Sequence, residues 1–224
     1  MRNIVGAIAT IIFAVILFFT YRLKLVERIM LTIDQSPNGK NWQNEVEKQK
    51  KIYTEKKDII FIGDSHIEQC EWQEVFPQYK IGNRGIGGET SGALLTRIEN
   101  AVLPGTSVAV LQIGVNDILS NIEATTVIDN YSFIIKYLKK NNCKIVATLP
   151  FLTRYYPDKN RKIQGLGNRL LVLFNEEKIT NINLNPTIAP EGELLLEYSS
   201  DGVHLNAKGY SLWIEQLKSK LTLN

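Results

Sequence analysis

A serine, a histidine and an aspartate in this sequence could together form a nucleophilic centre. Ser65 follows a Gly-Asp pair, and Asp201 stands three residues before His204. A serine hydroxyl is a weak nucleophile until a base removes its proton, and an imidazole held by a carboxylate is a suitable base. We therefore expect His204 to take the proton of Ser65, and Asp201 to fix the tautomer of His204 and stabilise its charged form.

Two further loops offer groups that could stabilise a negatively charged oxygen during such a reaction. Gly88 lies in a glycine-rich segment, where the backbone can approach a substrate closely and donate a hydrogen bond. Asn116 offers a side-chain amide, and Ser65 is predicted to begin a helix, whose first N–H groups favour negative charge. Ser65, Gly88 and Asn116 therefore form the predicted oxyanion hole of an acyl-transfer site.

Taken singly, each loop also has an ordinary structural interpretation. The Gly-Asp-Ser segment is a common turn and helix cap, and the segments that contain Asn116 and His204 are typical of turns. The glycine-rich segment could be a phosphate-binding loop, but it fits neither G-x-x-x-x-G-K-[ST] nor G-x-G-x-x-G, because Thr90 holds the last position. The order of the loops along the chain favours the chemical interpretation.

The pattern from residue 58 onward predicts the elements that would position these loops. Short apolar runs lie at 59–62, 79–81, 108–113, 144–149 and 182–184, and helical patterns lie near 66–76, 90–102, 123–141, 160–178 and 206–221. Continuous apolar strands that alternate with helices are typical of a parallel sheet covered on both faces. Active sites of such sheets lie at the carboxyl ends of the strands, where the first three loops fall.

The loops resemble the sequence blocks of the GDSL, or SGNH, hydrolase family, whose second name lists its Ser, Gly, Asn and His. The resemblance extends from about residue 58 to the end of the chain. It assigns the nucleophile to Ser65, the oxyanion donors to Gly88 and Asn116, and the acid and base to Asp201 and His204. It also implies a flavodoxin-like three-layer α/β/α sandwich with a parallel sheet of about five strands.

The second and third blocks resemble most closely the branch that contains the platelet-activating-factor acetylhydrolase subunits. Two positions depart from the common pattern. His66 stands where leucine is frequent and could itself act as the base, but it lacks an Asp-x-x-His partner, so we expect it to line the site or the first helical turn. Glu89 stands where Asp is commoner, which conserves the charge. The G-x-S-x-G elbow of α/β-hydrolases is absent, because position 67 is isoleucine.

The amino terminus carries a separate apolar segment. Residues 4–21 include 15 apolar residues out of 18, and Arg2 and Arg22 flank them. A membrane-spanning helix needs about 17 to 25 such residues, and no A-x-A cleavage pattern follows. The segment therefore predicts an uncleaved transmembrane helix over residues 1–21, in preference to a signal peptide or a buried core helix.

The sequence does not determine on which side of the membrane the catalytic domain lies. Arg2 lies before the span, whereas Arg22, Lys24 and Arg28 follow it, which favours a cytoplasmic catalytic domain. The family resemblance favours the extracytoplasmic side instead, because many bacterial relatives with leaders work there.

Two further segments complete the predicted organisation. Residues 22–57 form a polar connector, rich in Lys and Glu, and residues 58–224 form one hydrolase domain. The connector is expected to be a solvated helix or spacer. Its lysines at 48, 50 and 51 could contact anionic lipid, but a solvated face is the interpretation we favour.

Composition excludes several other classes of protein. The 26 Lys and Arg residues nearly balance 23 Asp and Glu residues, so no strong field for nucleic acid exists. Cys70 and Cys143 are too far apart for a zinc motif and too few for a disulfide scaffold, and both are predicted as small core residues. We expect no metal and no cofactor.

The sequence therefore predicts a membrane-anchored serine esterase that hydrolyses acyl or acetyl esters of lipids or carbohydrates. An O-acyltransferase with the same site and a catalytically idle binding domain are the alternatives. The segments 154–157 and 186–200 are expected to select the substrate. Substrate identity, acyl chain length and oligomeric state are left open.

Overall fold

A parallel β-sheet forms the centre of the computed structural model, which describes residues 39–221. Its strands within this range are β1 (Ile59–Gly63), β2 (Ile81–Gly85), β3 (Val108–Gln112), β4 (Lys144–Thr148) and β5 (Thr180–Ile182). They pair in parallel in the order β2-β1-β3-β4-β5. This order is that of flavodoxin-like folds. The predicted parallel sheet of about five strands is confirmed.

Helices cover both faces of the sheet. In the described range they are α1 (Lys40–Ile52), α2 (Ser65–Glu68), α3 (Trp72–Val75), α4 (Ser91–Ala101), α5 (Val115–Leu119), α6 (Ala124–Lys140), α7 (Pro157–Glu176), α8 (Asn185–Ile188) and α9 (Ala207–Lys220), with a 3-10 turn at Leu196–Tyr198. Helix α6 packs between α4 and α7, and α3 packs on α9 through Trp72 and Trp213, whose ring centroids are 5.3 Å apart.

The burial of the strands explains why both faces need this cover. Every residue of β1 and β3 is buried. Because successive side chains of a strand point to opposite faces, a strand buried along its whole length must have packing partners on both sides. The continuous apolar runs in the sequence therefore indicated the layers correctly.

Two elements differ from their predicted bounds at the edge near the second strand. The helical pattern at 66–76 is broken into α2 and α3, because side chains occupy the carbonyls that a continuous helix would use. Asn83 Nδ2 donates to Ile67 O (3.0 Å) and to Cys70 O (3.1 Å), and Trp72 Nε1 also donates to Ile67 O (2.8 Å). The second strand lies at Ile81–Gly85 instead of 79–81.

The amino-terminal predictions fall partly outside the described range. The transmembrane helix predicted at residues 1–21 lies in the part that the structure does not describe. Within residues 39–221, every helix is either too short or too polar to cross a bilayer. Helix α1 lies in the predicted connector, and it buries Trp42 and Gln49 against the domain while its lysines at 48, 50 and 51 are exposed.

The two cysteines differ in their surroundings. Cys143 is buried in the core, and its thiol contacts Thr106 O at 3.2 Å. Cys70 is half-buried and packs against the same core. Burial raises the pKa of the Cys70 thiol to about 11. Both are free thiols at the edge or in the interior of the core, as expected for small core residues.

Candidate active site

The turn between β1 and α2 presents Ser65 at the carboxyl edge of the sheet. Asp64 caps the helix, since its Oδ1 accepts the backbone N–H of His66 at 3.0 Å. Gly63 precedes the turn with φ +154°, and a Cβ at this position would lie 1.8 Å from Gln112 O. Glycine is therefore required where β1 approaches β3, and the close approach fixes the start of the turn that carries Ser65.

Ser65, His204 and Asp201 lie in one chain of hydrogen bonds. The Ser65 hydroxyl donates to His204 Nε2 at 2.9 Å, and His204 Nδ1 donates to Asp201 Oδ2 at 2.7 Å. The serine and the histidine come from positions 139 apart in the sequence. The three residues that the sequence predicted as nucleophile, base and acid are thus in mutual contact.

The turn from Asp201 to His204 holds its own geometry. Asp201 Oδ1 accepts the backbone N–H of Val203 (2.9 Å) and of His204 (2.8 Å), while its other oxygen faces the imidazole. Burial alone would raise the pKa of Asp201, but the hydrogen bonds from His204 and Val203 outweigh burial and hold the pKa below its ordinary value. The carboxylate is therefore ionised next to the imidazole at neutral pH.

The loop after β2 carries Gly88, the predicted backbone donor of the oxyanion hole. Gly88 has φ +71°, a left-handed conformation that glycine adopts without strain. The neighbouring backbone is fixed on both sides, because Ile86 N–H donates to Gly63 O (3.0 Å) and Glu89 N–H donates to Ile86 O (3.2 Å). The loop is therefore tied to Gly63, the last residue of β1, which directly precedes Asp64 and Ser65.

The predicted side-chain donor, Asn116, lies against the same loop. Its Nδ2 donates one hydrogen bond to Glu89 O at 3.0 Å. A side-chain amide has two N–H donors, so this bond orients the group and leaves a second donor for a ligand. The structure thus brings Asn116 to the residue that follows Gly88.

Asp117, which was not singled out from the sequence, fixes the helix that carries Asn116. Its carboxylate is fully buried and accepts the Ser91 N–H (3.1 and 2.9 Å) and the Ser91 hydroxyl (2.6 Å). Burial raises the pKa of Asp117, while the hydrogen bonds from Ser91 act in the opposite direction. The contact joins α5 to the start of α4, so it fixes both ends of the segment between Glu89 and Asn116.

His66 supports the site from within the core. Its Nδ1 lies 3.2 Å from Asp64 Oδ1, and its Nε2 donates to Val203 O at 3.1 Å. Both ring nitrogens are thus engaged away from the Ser65 hydroxyl, which donates to His204 instead. The alternative that His66 is the base is therefore not supported. The ring ties the Asp201–His204 turn to the helix that begins at Ser65.

The segment predicted to select the substrate packs directly on the Asp201–His204 turn. Arg154 N–H donates to Gly202 O at 2.7 Å, and a Cβ on Gly202 would lie 2.2 Å from Tyr155 Cε2. Tyr155 is nevertheless 59% exposed. The second predicted segment reaches the same turn through Ser199, whose hydroxyl donates to His204 O at 2.8 Å.

An open cleft of about 300 Å³ lies beside the glycine loop. It is lined by Asn41, Trp42, Asn44 and Glu45 on one side and by Glu68, Ile86 and Gly87 on the other. Partial desolvation raises the pKa of Glu68, while the Gly87 backbone N–H acts in the opposite direction. Amides and carboxylates dominate this lining, and the sequence placed none of these side chains at the site. Within residues 39–221, no group of three or more His, Cys, Asp or Glu side chains is arranged to hold a metal ion.

Comparison with known proteins identifies the family of this chain. A model of the GDSL-like lipase/acylhydrolase family matches residues 61–212. The human platelet-activating factor acetylhydrolase IB subunit alpha2 is 26% identical over 165 residues, which cover 69% of this chain and 71% of that protein. The family resemblance and the resemblance to the platelet-activating-factor acetylhydrolase branch are confirmed.

Solved structures agree with this match. A candidate platelet activating factor from Streptococcus pneumonia is 25% identical with a TM-score of 0.73, covering 91% of this chain and 99% of that chain. The acetyl xylan esterase AlAXEase is also 25% identical, with a TM-score of 0.65, covering 73% and 99%. An N-acylneuraminate cytidylyltransferase from Streptococcus agalactiae is 20% identical over 75% of this chain, and the chain spans only 41% of that longer protein.

Proposed function

Since the chain belongs to the GDSL-like lipase/acylhydrolase family, whose members are ester-hydrolysing serine hydrolases, we propose that Ser65, His204 and Asp201 carry out its reaction. The observation that supports this assignment best is the continuous hydrogen-bond chain from the Ser65 hydroxyl through His204 to Asp201, with distances of 2.9 and 2.7 Å. This is the geometry that an activated serine requires.

The reaction begins with the transfer of the Ser65 proton to His204 Nε2. Ser65 Oγ attacks the ester carbonyl, and the resulting oxyanion accepts hydrogen bonds from the backbone N–H groups of Ser65 and Gly88 and from the Asn116 amide. His204 then gives its proton to the alkoxide as the C–O bond breaks, which releases the alcohol and leaves Ser65 acylated. Throughout, Asp201 stabilises the imidazolium.

Water completes the cycle at the same site. His204 removes a proton from the water as its oxygen attacks the acyl carbonyl, and the proton returns to Ser65 Oγ when the acid is released.

Replacement of the nucleophile tests this assignment. Ser65→Ala should abolish hydrolysis of p-nitrophenyl acetate while the far-UV circular dichroism spectrum is unchanged. Ser132→Ala is a matched control, because Ser132 is exposed on α6, away from these loops. Asp201→Asn should retain more activity than Ser65→Ala, whose loss should be complete. Hydrolysis by Ser65→Ala at the wild-type rate would overturn the proposed mechanism.

We further propose that the acyl group is short and that the alcohol part of the ester is hydroxyl-rich and occupies the polar cleft. Two observations support this choice. The lining of the cleft by amides and carboxylates suits hydroxyl donors better than a lipid tail or an anion. In addition, two of the relatives are named for acetyl esters, one an acetylhydrolase and the other an acetyl xylan esterase.

A substrate panel separates the remaining possibilities. O-acetylated xylose and glucosamine should be hydrolysed faster than phospholipid vesicles, and the rate for p-nitrophenyl esters should fall as their acyl chain becomes longer. A preference for long-chain lipid would contradict the proposed leaving group. An acyl group found on an added sugar alcohol, in place of free acid, would identify an O-acyltransferase. Labelling of the wild type but not Ser65→Ala by a fluorophosphonate would exclude an idle domain.

Membrane attachment through residues 4–21 is part of the same proposal, with the catalytic domain on the extracytoplasmic side. The apolar composition of this segment supports attachment to the membrane. The extracytoplasmic side is supported by the family resemblance, because many bacterial relatives with leaders work there. Lys51 is exposed on α1, so Lys51→Cys provides a reporter. An impermeant maleimide should label this variant in intact cells more than it labels the wild type. Equal labelling until the cells are lysed would place the domain in the cytoplasm.

A further inference from the structure

A buried ion pair lies behind the loop that carries Gly88. Glu89 and Arg97 are 0% and 1% exposed. Arg97 Nε donates to Glu89 Oε1 at 2.6 Å, and Arg97 Nη2 donates to Glu89 Oε2, so the contact is bidentate. Removing two charges from water is costly unless their remaining hydrogen-bonding groups are satisfied. The stability of the pair therefore depends on the groups that complete its hydrogen bonds.

Helix α1 supplies two of those partners. Trp42 Nε1 donates to Glu89 Oε1 at 3.0 Å, and Gln49 Oε1 accepts from Arg97 Nη1 at 2.9 Å. Trp42 and Gln49 are seven positions apart, which places them on one face of a helix, two turns from each other. The face that buries them is thus fitted to the ion pair.

The same glutamate connects this helix to the proposed oxyanion hole. Glu89 directly follows Gly88, and its carbonyl accepts the Asn116 amide at 3.0 Å. The side chain of Glu89 is held by α1 and Arg97, whereas its backbone borders both Gly88 and Asn116. A shift of the carboxylate therefore changes the position of both donors. Misplacement of catalytic groups by about 1 Å can lower a rate by about 100-fold.

The α1 contact also has an apolar part. Trp42 packs with Ile86 and Ala93 in a cluster separate from the main core, with Val46 partly buried beside it. Moreover, α1 lies outside the family match at residues 61–212. The polar contacts to Glu89 and Arg97 are therefore the specific feature of this interface.

We infer that Trp42 and Gln49 are positioning residues for catalysis, which hold Gly88 and Asn116 in place through the Glu89–Arg97 pair. This inference rests on the proposed oxyanion hole. It means that the helix before the family domain is a functional part of the active site, in addition to forming one wall of the cleft.

The test uses the full chain with Trp42→Phe, which keeps an aromatic ring but removes the N–H donor. We expect kcat for p-nitrophenyl acetate to fall about tenfold while KM stays within about twofold, because the donors act on the transition state. The affinity of a boronic acid, which forms a tetrahedral adduct with serine, should fall by a similar factor. Gln43→Ala is the matched control, since Gln43 is exposed on the same helix, and its kcat should be unchanged.

A second pair of variants guards against loss of folding. Gln49→Leu should lower kcat, whereas Gln49→Glu, which can still accept from Arg97, should restore most of it. If Trp42→Phe and Gln49→Leu lower the melting temperature without lowering kcat, the helix only stabilises the domain and the inference is wrong. Activity in Ser65→Ala would instead refute the proposed function itself, so the two failures are distinguishable.

Discussion

The carboxylate of Asp201 is the more exposed part of the Asp201–His204 pair, with 53% of its side chain accessible against 26% for His204. Water therefore competes for this carboxylate, and the contact depends on the backbone N–H groups that fix the turn. These bonds form between residues two and three positions apart, so local contacts hold the shape of the turn.

The lowered pKa of Asp201 predicts the pH range in which this contact stabilises the fold. A carboxylate whose pKa is lower in the folded than in the unfolded state stabilises the protein above the unfolded value, about 3.9, and this contribution is lost as the pH falls through the folded value. The wild type should therefore melt at a higher temperature than Asp201→Asn above about pH 5. The difference should shrink below about pH 3.9, and a difference that grows with acidity would contradict the assignment.

His66 yields a second prediction, because both nitrogens of its ring contact other groups of the site. His66→Leu removes the ring contact of the fully buried Asp64 and the donor to the half-buried Val203 O. The free energy of unfolding should fall by about 1–3 kcal/mol, measured by urea titration, and esterase activity should fall with it.

A second substitution separates the lost ring contact of Asp64 from the lost packing. Asparagine also caps helices, so Asp64→Asn/His66→Leu should be less unstable than the sum of the single variants. Strict additivity would show that the ring and the carboxylate do not act together.

The sequence predicted the residues that we propose to contact the substrate, but it did not predict the residues that hold them in place. Ser65, Gly88 and His204 occur in short motifs that can be recognised from a few consecutive residues. The contacts of Asp117 with Ser91 and of Trp42 with Glu89 join positions 26 and 47 apart. Such pairs leave no local pattern, because each residue alone is compatible with an exposed position.

At the scale of elements, the close packing of α2 against β2 determines the position of Ser65, the first residue of α2. A Cβ on Gly85 would lie 2.3 Å from the backbone nitrogen of Glu68. Gly85→Ala should therefore displace α2, lower the free energy of unfolding by about 1–3 kcal/mol, and reduce kcat because Ser65 begins that helix.

Gly165→Ala is the control for this substitution. Gly165 lies inside α7, and a Cβ there would meet nothing within 4 Å. The change should be neutral or stabilising by about 0.5–1 kcal/mol, because alanine restricts the unfolded chain. Equal losses in both glycine variants would indicate a general effect of alanine instead of the contact with α2.

Helices and strands with a clear apolar period were predictable, and the elements held by polar contacts were not. The pattern at 123–141 matches α6 (Ala124–Lys140) closely, because its buried face repeats at helical spacing. Strand β2 consists of Ile-Gly-Asn-Arg-Gly, which has no apolar run, although most of it is buried. Its place in the sheet follows from the parallel pairing with β1, and hydrogen bonds such as those of Asn83 tie it to α2.

At the scale of the whole molecule, the catalytic unit includes more than the family domain. The connector was expected to be solvated, since its apolar residues are few. One face of α1 meets the domain, and its contacts combine the sparse apolar side chains Trp42 and Val46 with hydrogen bonds of a tryptophan N–H and a glutamine amide oxygen. A pattern based on apolar period cannot detect an interface of this kind.

Truncation before residue 39 should separate attachment from activity. A chain that begins at residue 39 should leave the membrane fraction and retain the wild-type kcat on p-nitrophenyl acetate, because α1 is kept. Sedimentation after cell lysis and a spectrophotometric assay measure the two properties. Recovery of this chain in the membrane pellet would show that residues 4–21 are not the principal anchor.

The separation of Ser65 and His204 by 139 positions also has a consequence for biosynthesis. At a translation rate of about 5–20 residues per second, the ribosome needs roughly 7–28 s to reach the histidine after the serine has been added. During this interval the nascent chain carries its nucleophile without its base. We therefore expect ribosome-bound chains that end before residue 201 to resist a fluorophosphonate, so that the newly made protein cannot attack esters until its synthesis is nearly complete.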